Sequence, residues 1–356
     1  MTDLTALKVY SPGYQAIEWG FDYSQIVDIE TALAQPVSVA VVPVFYNDPK
    51  EFSYLPVFDT MPLERFDLVL FTDIEWRSQT HIIDWIRTTG VEHWLLHTAG
   101  VWLDETPDPR VIYRPAWSFN FLRWNPPRED FPPEREFKFE CLLGARREHR
   151  DFVMLGLQEW GLLDQSLATY RDIFVGHWIQ QTPPRTQAAW PTQTLQYPYV
   201  SPNLDPAWEV KPNMDNSVSG LVPWEIYNRT WFSVVCETLG TGRVFLSAEK
   251  IAKCLQARRL FVVFAISGFL ERYRAWGFET FGDVIDESYD NITQDIPRWQ
   301  AALEQVRFLC GEDLPALLAR LRPRLDHNHH RLYALEQEKR REMHDLVAAH
   351  LVARTR

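Results

Sequence analysis

The chain has 356 residues, 46% hydrophobic and 24% charged, a balance that excludes disordered, collagen-like and low-complexity classes and suits about two globular domains. The net charge of −12 is uneven, with 19 acidic and 9 basic side chains in residues 1–130 against 29 and 27 in the rest, so a nucleic-acid partner is disfavoured for the acidic part. Apolar runs such as residues 260–266 are too short to cross a bilayer and the first residues lack a leader's basic and apolar stretches, so the expectation is a cytoplasmic protein without a transmembrane segment.

Strand-like and helix-like segments alternate along the chain, the pattern of a layered α/β protein. Residues 37–45 are β-branched and apolar, and Pro43 within them points to an edge strand or an early end. A second apolar run, 66–71, leads into Thr72, Asp73, Ile74 and Glu75. The next segment predicts a helix: Ser78 suits the N-cap, Ile82, Ile83 and Ile86 share a face, and Gly90 stands where a C-terminal glycine is expected. Residues 94–97 read as the following buried strand. From 115 to 136 the chain turns proline-rich and charged, which places a domain boundary near residue 130.

The same logic restarts beyond that boundary. Residues 137–143 form a strand candidate and 144–147 a turn. A helix follows over 148–160, with Phe152, Val153, Leu157 and Trp160 inward and Gly161 as its stop. Cys141, Cys236, Cys254 and Cys310 include no C-x-x-C pair and read as reduced core thiols. Residues 181–223 are rich in proline and poor in periodicity, which reads as a long surface loop. Residues 231–236 and 260–266 are continuous apolar strands of the doubly covered parallel kind.

Between these strands Ser247 is placed to cap a helix whose apolar face is Ala248, Ile251, Ala252 and Leu255. The first turn of such a helix carries unpaired amides and partial positive charge, and Lys250 adds a full charge there, which suits a diphosphate. Glu249, acceptor-only when ionised, could take both hydroxyls of a ribose. The same spacing also describes an ordinary amphipathic helix with a Glu249–Lys253 pair. Periodicity alone leaves both readings open.

Three pieces then fall in one order: Cys236-Glu237-Thr238, the run from Phe245 to Lys250, and the apolar stretch from Leu260 to Gly268. Together, residues 231–290 resemble the donor-binding half of GT-B glycosyltransferases, above all the fucosyltransferase-like and exostosin-like groups. Ala248 stands where those groups usually carry Thr before Glu-Lys, and Arg259-Leu260 occupies the place of their usual proline. Residues 144–150, G-A-R-R-E-H-R, are similar to the basic turn that opens such donor domains.

The resemblance implies an α/β architecture of two Rossmann-like domains facing across a cleft. Residues 1–130 would take a hydroxylated acceptor, 131–325 a nucleotide sugar, and 326–356 would form an amphipathic helical tail. It also implies an inverting, metal-independent glycosyltransferase with no resident cofactor, its co-substrate a nucleoside-diphosphate sugar such as a GDP- or UDP-sugar. Arg146, Arg147, Glu237, Ser247, Glu249, Lys250 and Lys253 would form the donor site. The same fold could instead modify a nucleobase or a protein, or serve as a non-catalytic scaffold.

For the base, Asp73 and His97 are the candidates, since each ends a strand of the acceptor half and ligand crevices lie beyond strand carboxyl ends. Asp283, Asp286, Glu287 and Asp290 lack the spacing of a calcium loop, and His327, His329 and His330 lack a completing ligand, so no metal is expected. Phosphate-loop, dinucleotide, nucleophile-elbow and zincin motifs are absent from the sequence. Leu332, Leu335, Met343, Leu346, Val347 and Leu351 form the apolar face of a C-terminal helix, which would pack on the body or on a second subunit in a homodimer, or rest on an anionic membrane surface.

Overall fold

A computed structural model describes residues 6–12, 16, 19, 21–44, 62–73, 78–115, 121–122, 125–128, 132–171, 181–205 and 220–354. The protein is α/β, with two mainly parallel sheets. It divides into two compact units, one of residues 1–120, 243–247 and 334–356, the other of 121–242 and 248–333. This division differs from a cut near residue 130 with a separate tail, because a short internal segment and the end of the chain both join the first unit.

In the first unit the strand order is Ile26–Val27, Val9–Tyr10, Val39–Pro43, Leu68–Asp73, Trp94–Thr98 and Val111–Tyr113, all neighbours parallel. Val39–Pro43 is therefore an inner strand and not an edge. Pro43 is its last residue, where a missing amide is tolerated.

Alternate residues of these strands feed two cores, as a period of two requires. Ala40, Val42, Val69 and Phe71 pack with Ile82, Ile83 and Ile86 of helix Gln79–Thr88. That helix begins as the spacing predicts, the Ser78 hydroxyl accepting from the His81 amide at 3.3 Å, and Gly90 follows it at φ 75°.

Val39, Val41, Leu68, Leu70 and Leu95 pack on the other side with Met343, Val347 and Leu351 of the long helix Leu314–Arg354. The C-terminal helix thus contributes to the first unit's core, with Met343 fully buried. Arg114, itself buried, donates to both carboxylate oxygens of Glu336 on this helix, at 3.0 and 2.8 Å. Met343→Ala is expected to destabilise the first unit by about 2–3 kcal/mol, read as a lower urea midpoint. A helix end resting only on a membrane or a partner would leave the midpoint unchanged.

A two-stranded antiparallel sheet, Gly100–Trp102 with Val244–Leu246, completes the first unit and brings Phe245 against Tyr113 with ring centroids 5.9 Å apart. No helix among the described residues is long and apolar enough to cross a membrane.

In the second unit the order is Tyr199–Val200, Ser166–Tyr170, Phe137–Leu143, Thr230–Cys236 and Phe261–Phe264. Only the first pairing is antiparallel. Helix Glu148–Glu159 links the first two parallel strands in chain order, with Phe152, Val153 and Leu157 buried and Gly161 at φ 63° beyond its end. Within the stretch expected to be one long loop, residues 181–205 instead carry helix Pro184–Ala189 and edge strand Tyr199–Val200. Residues 206–219 of that stretch lie outside the described residues.

Candidate functional site

The parallel strand order of the second unit reverses between Phe137–Leu143 and Thr230–Cys236: the chain first steps outward to Ser166–Tyr170, then to the opposite side. At such a reversal the connections leave toward opposite faces, and ligands of open α/β sheets bind beyond the strand ends there. The segments that follow these two strands are 144–147 and 237–242, so both groups of sequence candidates on turns fall at this point.

Glu237 is fully buried at the first position after its strand. Its Oε2 accepts the Thr238 amide at 3.1 Å, and its Oε1 has no hydrogen-bond partner among the described residues. Burial pushes the carboxyl up to about 7, against the lowering pull of the Lys250 charge, while Glu249 raises it further.

The backbone of this loop is clamped from two helices. His149 Nε2 donates to the Glu237 carbonyl at 2.9 Å and Arg150 Nη2 to the same oxygen at 3.3 Å. From helix Asp295–Cys310, Arg298 Nη2 and Trp299 Nε1 donate to the Gly240 carbonyl at 2.8 and 3.3 Å. A Cβ on Gly240 would stand 2.3 Å from His149 Cγ, so the approach of loop to ring requires glycine. Burial, then the charges of Arg150, Arg147 and Lys250, hold His149 well below the ordinary histidine range despite its bond to Glu237. It is therefore neutral, with its proton on Nε2.

The helix expected from Ser247 begins later. It spans Glu249–Gln256, and its N-cap is Ala248, whose methyl side chain cannot cap it. Ser247 is fully buried at the position before the cap. Lys250 Nζ lies 3.1 Å from Thr238 Oγ1 and 3.0 Å from Glu249 Oε1. Burial raises the Glu249 carboxyl, but Lys250 and Lys253 outweigh it and hold the group below its usual value. Lys253 is lowered to about 8 by burial, against the pull of Glu249. Lys250, Glu249, Lys253, Thr238 and Glu237 are thus one charge cluster.

The two arginines of the 144–147 turn diverge. Arg146 Nη2 and Nε bind Asp151 at 2.6 and 3.3 Å, and its guanidinium lies 5.2 Å from the Tyr197 ring centre. Its fork holds a buried carboxylate. Arg147 is lowered to about 10 by burial and then by Arg150, and its charge is felt at His149.

The base candidates sit inside the first unit. Asp73 ends strand Leu68–Asp73, is fully buried, and lies 3.5 Å from Thr98 Oγ1. Glu75 lies outside the described residues. His97 is buried edge-on to Trp19, with ring centroids 6.3 Å apart, and neither ring nitrogen has a hydrogen-bond partner among the described residues. A base must come within hydrogen-bond reach of the proton it takes, so either buried side chain would have to be uncovered to serve as one.

Burial, and secondarily the Arg114 charge, lower His97 to about 3 from an ordinary 6.5. The unfolded chain therefore takes a proton below pH 6.5 that the fold refuses, and stability falls as pH drops through that window. Between pH 7 and pH 5 the loss from this residue is about 2 kcal/mol. Urea midpoints for His97→Leu are expected to fall less over that interval than those of the parent, and an identical fall in both would contradict the assignment.

The acidic and histidine clusters singled out in the sequence bind the protein's own backbone. Asp290 accepts the Leu270 and Glu271 amides at 3.0 and 3.1 Å, Glu287 accepts from Phe281 N at 2.6 Å, and His329 Nδ1 meets the Gln256 carbonyl at 3.0 Å. Sequence reasoning missed His149, Arg150, Arg298 and Trp299. The signal available for the first two was their position in the first turn of the helix that follows a strand and its turn, two and three residues beyond Arg147.

No protein-family model and no curated protein matches this sequence.

Proposed function

We propose that the protein moves a sugar from a nucleoside-diphosphate sugar to a hydroxyl acceptor, with the donor held by the second unit. The observation that carries this reading is the cluster of Lys250, Glu249, Thr238 and buried Glu237 where the strand order reverses. In such a transfer the nucleoside diphosphate leaves with growing negative charge. The Lys250 ammonium and the amides of the first turn of Glu249–Gln256 would stabilise that charge without a metal. Arg147 adds positive potential; Arg146 supports the turn through Asp151.

Each unit carries a parallel sheet with helices on its faces, which suits a GT-B enzyme with the acceptor on the first unit. Asp73 and His97, at and near strand ends of that unit, remain the candidates for the general base. The test is release of nucleoside diphosphate from a panel of UDP-, GDP- and CDP-sugars, with and without hydroxylated acceptors. The proposal expects release from one base class, reduced by Lys250→Ala. Absence of release from every donor, with every acceptor class tried, would count against it.

A further inference from the structure

We propose that Glu237 is a proton-accepting group of this site, so that a diphosphate ligand beside Lys250 binds with uptake of a proton by the Glu237 carboxyl. The inference rests on the donor-site reading above and adds the chemistry by which that site becomes positive enough for its ligand.

Two independent features point to it. The first is the Lys250 ammonium at the start of helix Glu249–Gln256, already matched by the Glu249 carboxylate at 3.0 Å. The second is a fully buried carboxyl whose Oε1 has no partner among the described residues and which feels the charges of Lys250 and Glu249. A buried carboxylate beside an incoming phosphate would be repelled by it. A carboxylic acid in the same place donates its proton to a phosphate oxygen, which satisfies both groups. Turning the side chain away would break the bond from the Thr238 amide to Oε2, so protonation is the cheaper response.

The charged groups around Glu237 fix the sign. From helix Glu249–Gln256 come Lys250 and Glu249, with Lys253 one turn on. From helix Glu148–Glu159 and its cap come His149, Arg150 and Arg147, and from helix Asp295–Cys310 comes Arg298, bound to the next part of the loop. His149 is neutral and stays so. Glu140, on the neighbouring strand, faces Arg259 and Lys253. With Glu237 ionised, the inner group of Glu237, Glu249, Lys250 and Lys253 is balanced. With Glu237 protonated it carries one net positive charge. The free carboxyl, near 7, is mostly ionised at pH 7.5 and has a proton to gain.

Lys253, near 8, is the competing source of proton uptake, and the experiment separates the two. Binding of UDP-glucose and GDP-mannose, whose diphosphate diesters do not titrate near neutrality, is measured by calorimetry at pH 7.5. Buffers of different ionisation enthalpy give the number of protons taken up. The expectation for the intact protein is uptake of about 0.5–0.8 proton per site, with affinity weakening toward tenfold per pH unit above pH 8. In Lys253→Met the uptake persists, and in Glu237→Gln it falls by more than half.

Binding without uptake, or with proton release, overturns this inference and leaves the donor site standing. Uptake that vanishes in Lys253→Met assigns the proton to that lysine and overturns it equally. Absence of binding by every nucleotide sugar removes both this inference and the donor-site reading.

Discussion

Lys250→Ala is expected to lower affinity for nucleotide sugars about 10- to 100-fold, the effect of losing one charge-assisted contact to a diphosphate. The ammonium is only partly exposed and stands 3.1 Å from Thr238 Oγ1, so no water-filled detour restores its charge at the same point. Its removal also takes away the main influence lowering Glu237, whose carboxyl then moves above about 7. Thermal stability should change little, because the Lys250–Glu249 pair is partly solvated and such pairs contribute little. Calorimetric titration of parent and variant checks both statements, and an affinity within twofold of the parent would remove Lys250 from the site.

Arg259→Leu is the substitution expected to cost most in folding, about 3–5 kcal/mol. Arg259 is almost fully buried, and all five of its N–H groups are used. Nε donates to Ser233 Oγ at 2.7 Å, Nη1 to the Tyr227 and Thr230 carbonyls at 2.8 and 2.9 Å, and Nη2 to Thr230 Oγ1 and the Phe232 carbonyl, both at 2.8 Å. Its charge also restrains Glu140, whose carboxyl burial pushes up to about 7 and whose Oε1 lies 3.9 Å from Arg259 Nε.

Leucine in place of the guanidinium strands those acceptors and leaves a buried carboxyl with less to stabilise its charge. The double variant Glu140→Leu with Arg259→Leu should recover part of the loss, as expected when a buried pair is removed as a unit. Urea unfolding of the parent, both single variants and the double variant gives the cycle. A cost below 1 kcal/mol for Arg259→Leu would contradict this account of the core.

Local signals were legible in the sequence and long-range ones were not. The continuous apolar runs around Val39, Leu68, Phe137, Thr230 and Phe261 are strands because parallel strands are covered on both faces. Ser78, Ile82, Ile83 and Ile86 gave both the start and the face of a helix. The apolar spacing of Met343, Val347 and Leu351 announced an amphipathic helix, but spacing does not say which core such a face completes. Val244–Leu246 is three residues long, and its pairing with Gly100–Trp102 joins segments more than 140 residues apart, beyond any local pattern.

The candidate site divides the same way. Lys250 and Glu249 were visible as first-turn residues, whereas the cap falls on Ala248, one residue beyond Ser247. Glu237 was visible as a strand-end carboxylate. Its burial depends on His149 and Arg298, which lie 88 and 58 residues from the loop carbonyls they bind. Arg146 and Arg147 are adjacent and alike in sequence, and they separate only because Asp151 and Tyr170 form a buried partner for the first.

Amide hydrogen exchange, with and without a saturating nucleotide sugar, tests the central claim most directly. A ligand held between Lys250 and the Glu237 loop should slow exchange in residues 237–242 and in the first turn after Ala248, with Lys250→Ala abolishing the effect at the same ligand concentration. Protection confined to other segments, or unchanged exchange in those two under conditions where the sugar nucleotide is turned over, would place the chemistry elsewhere in the molecule.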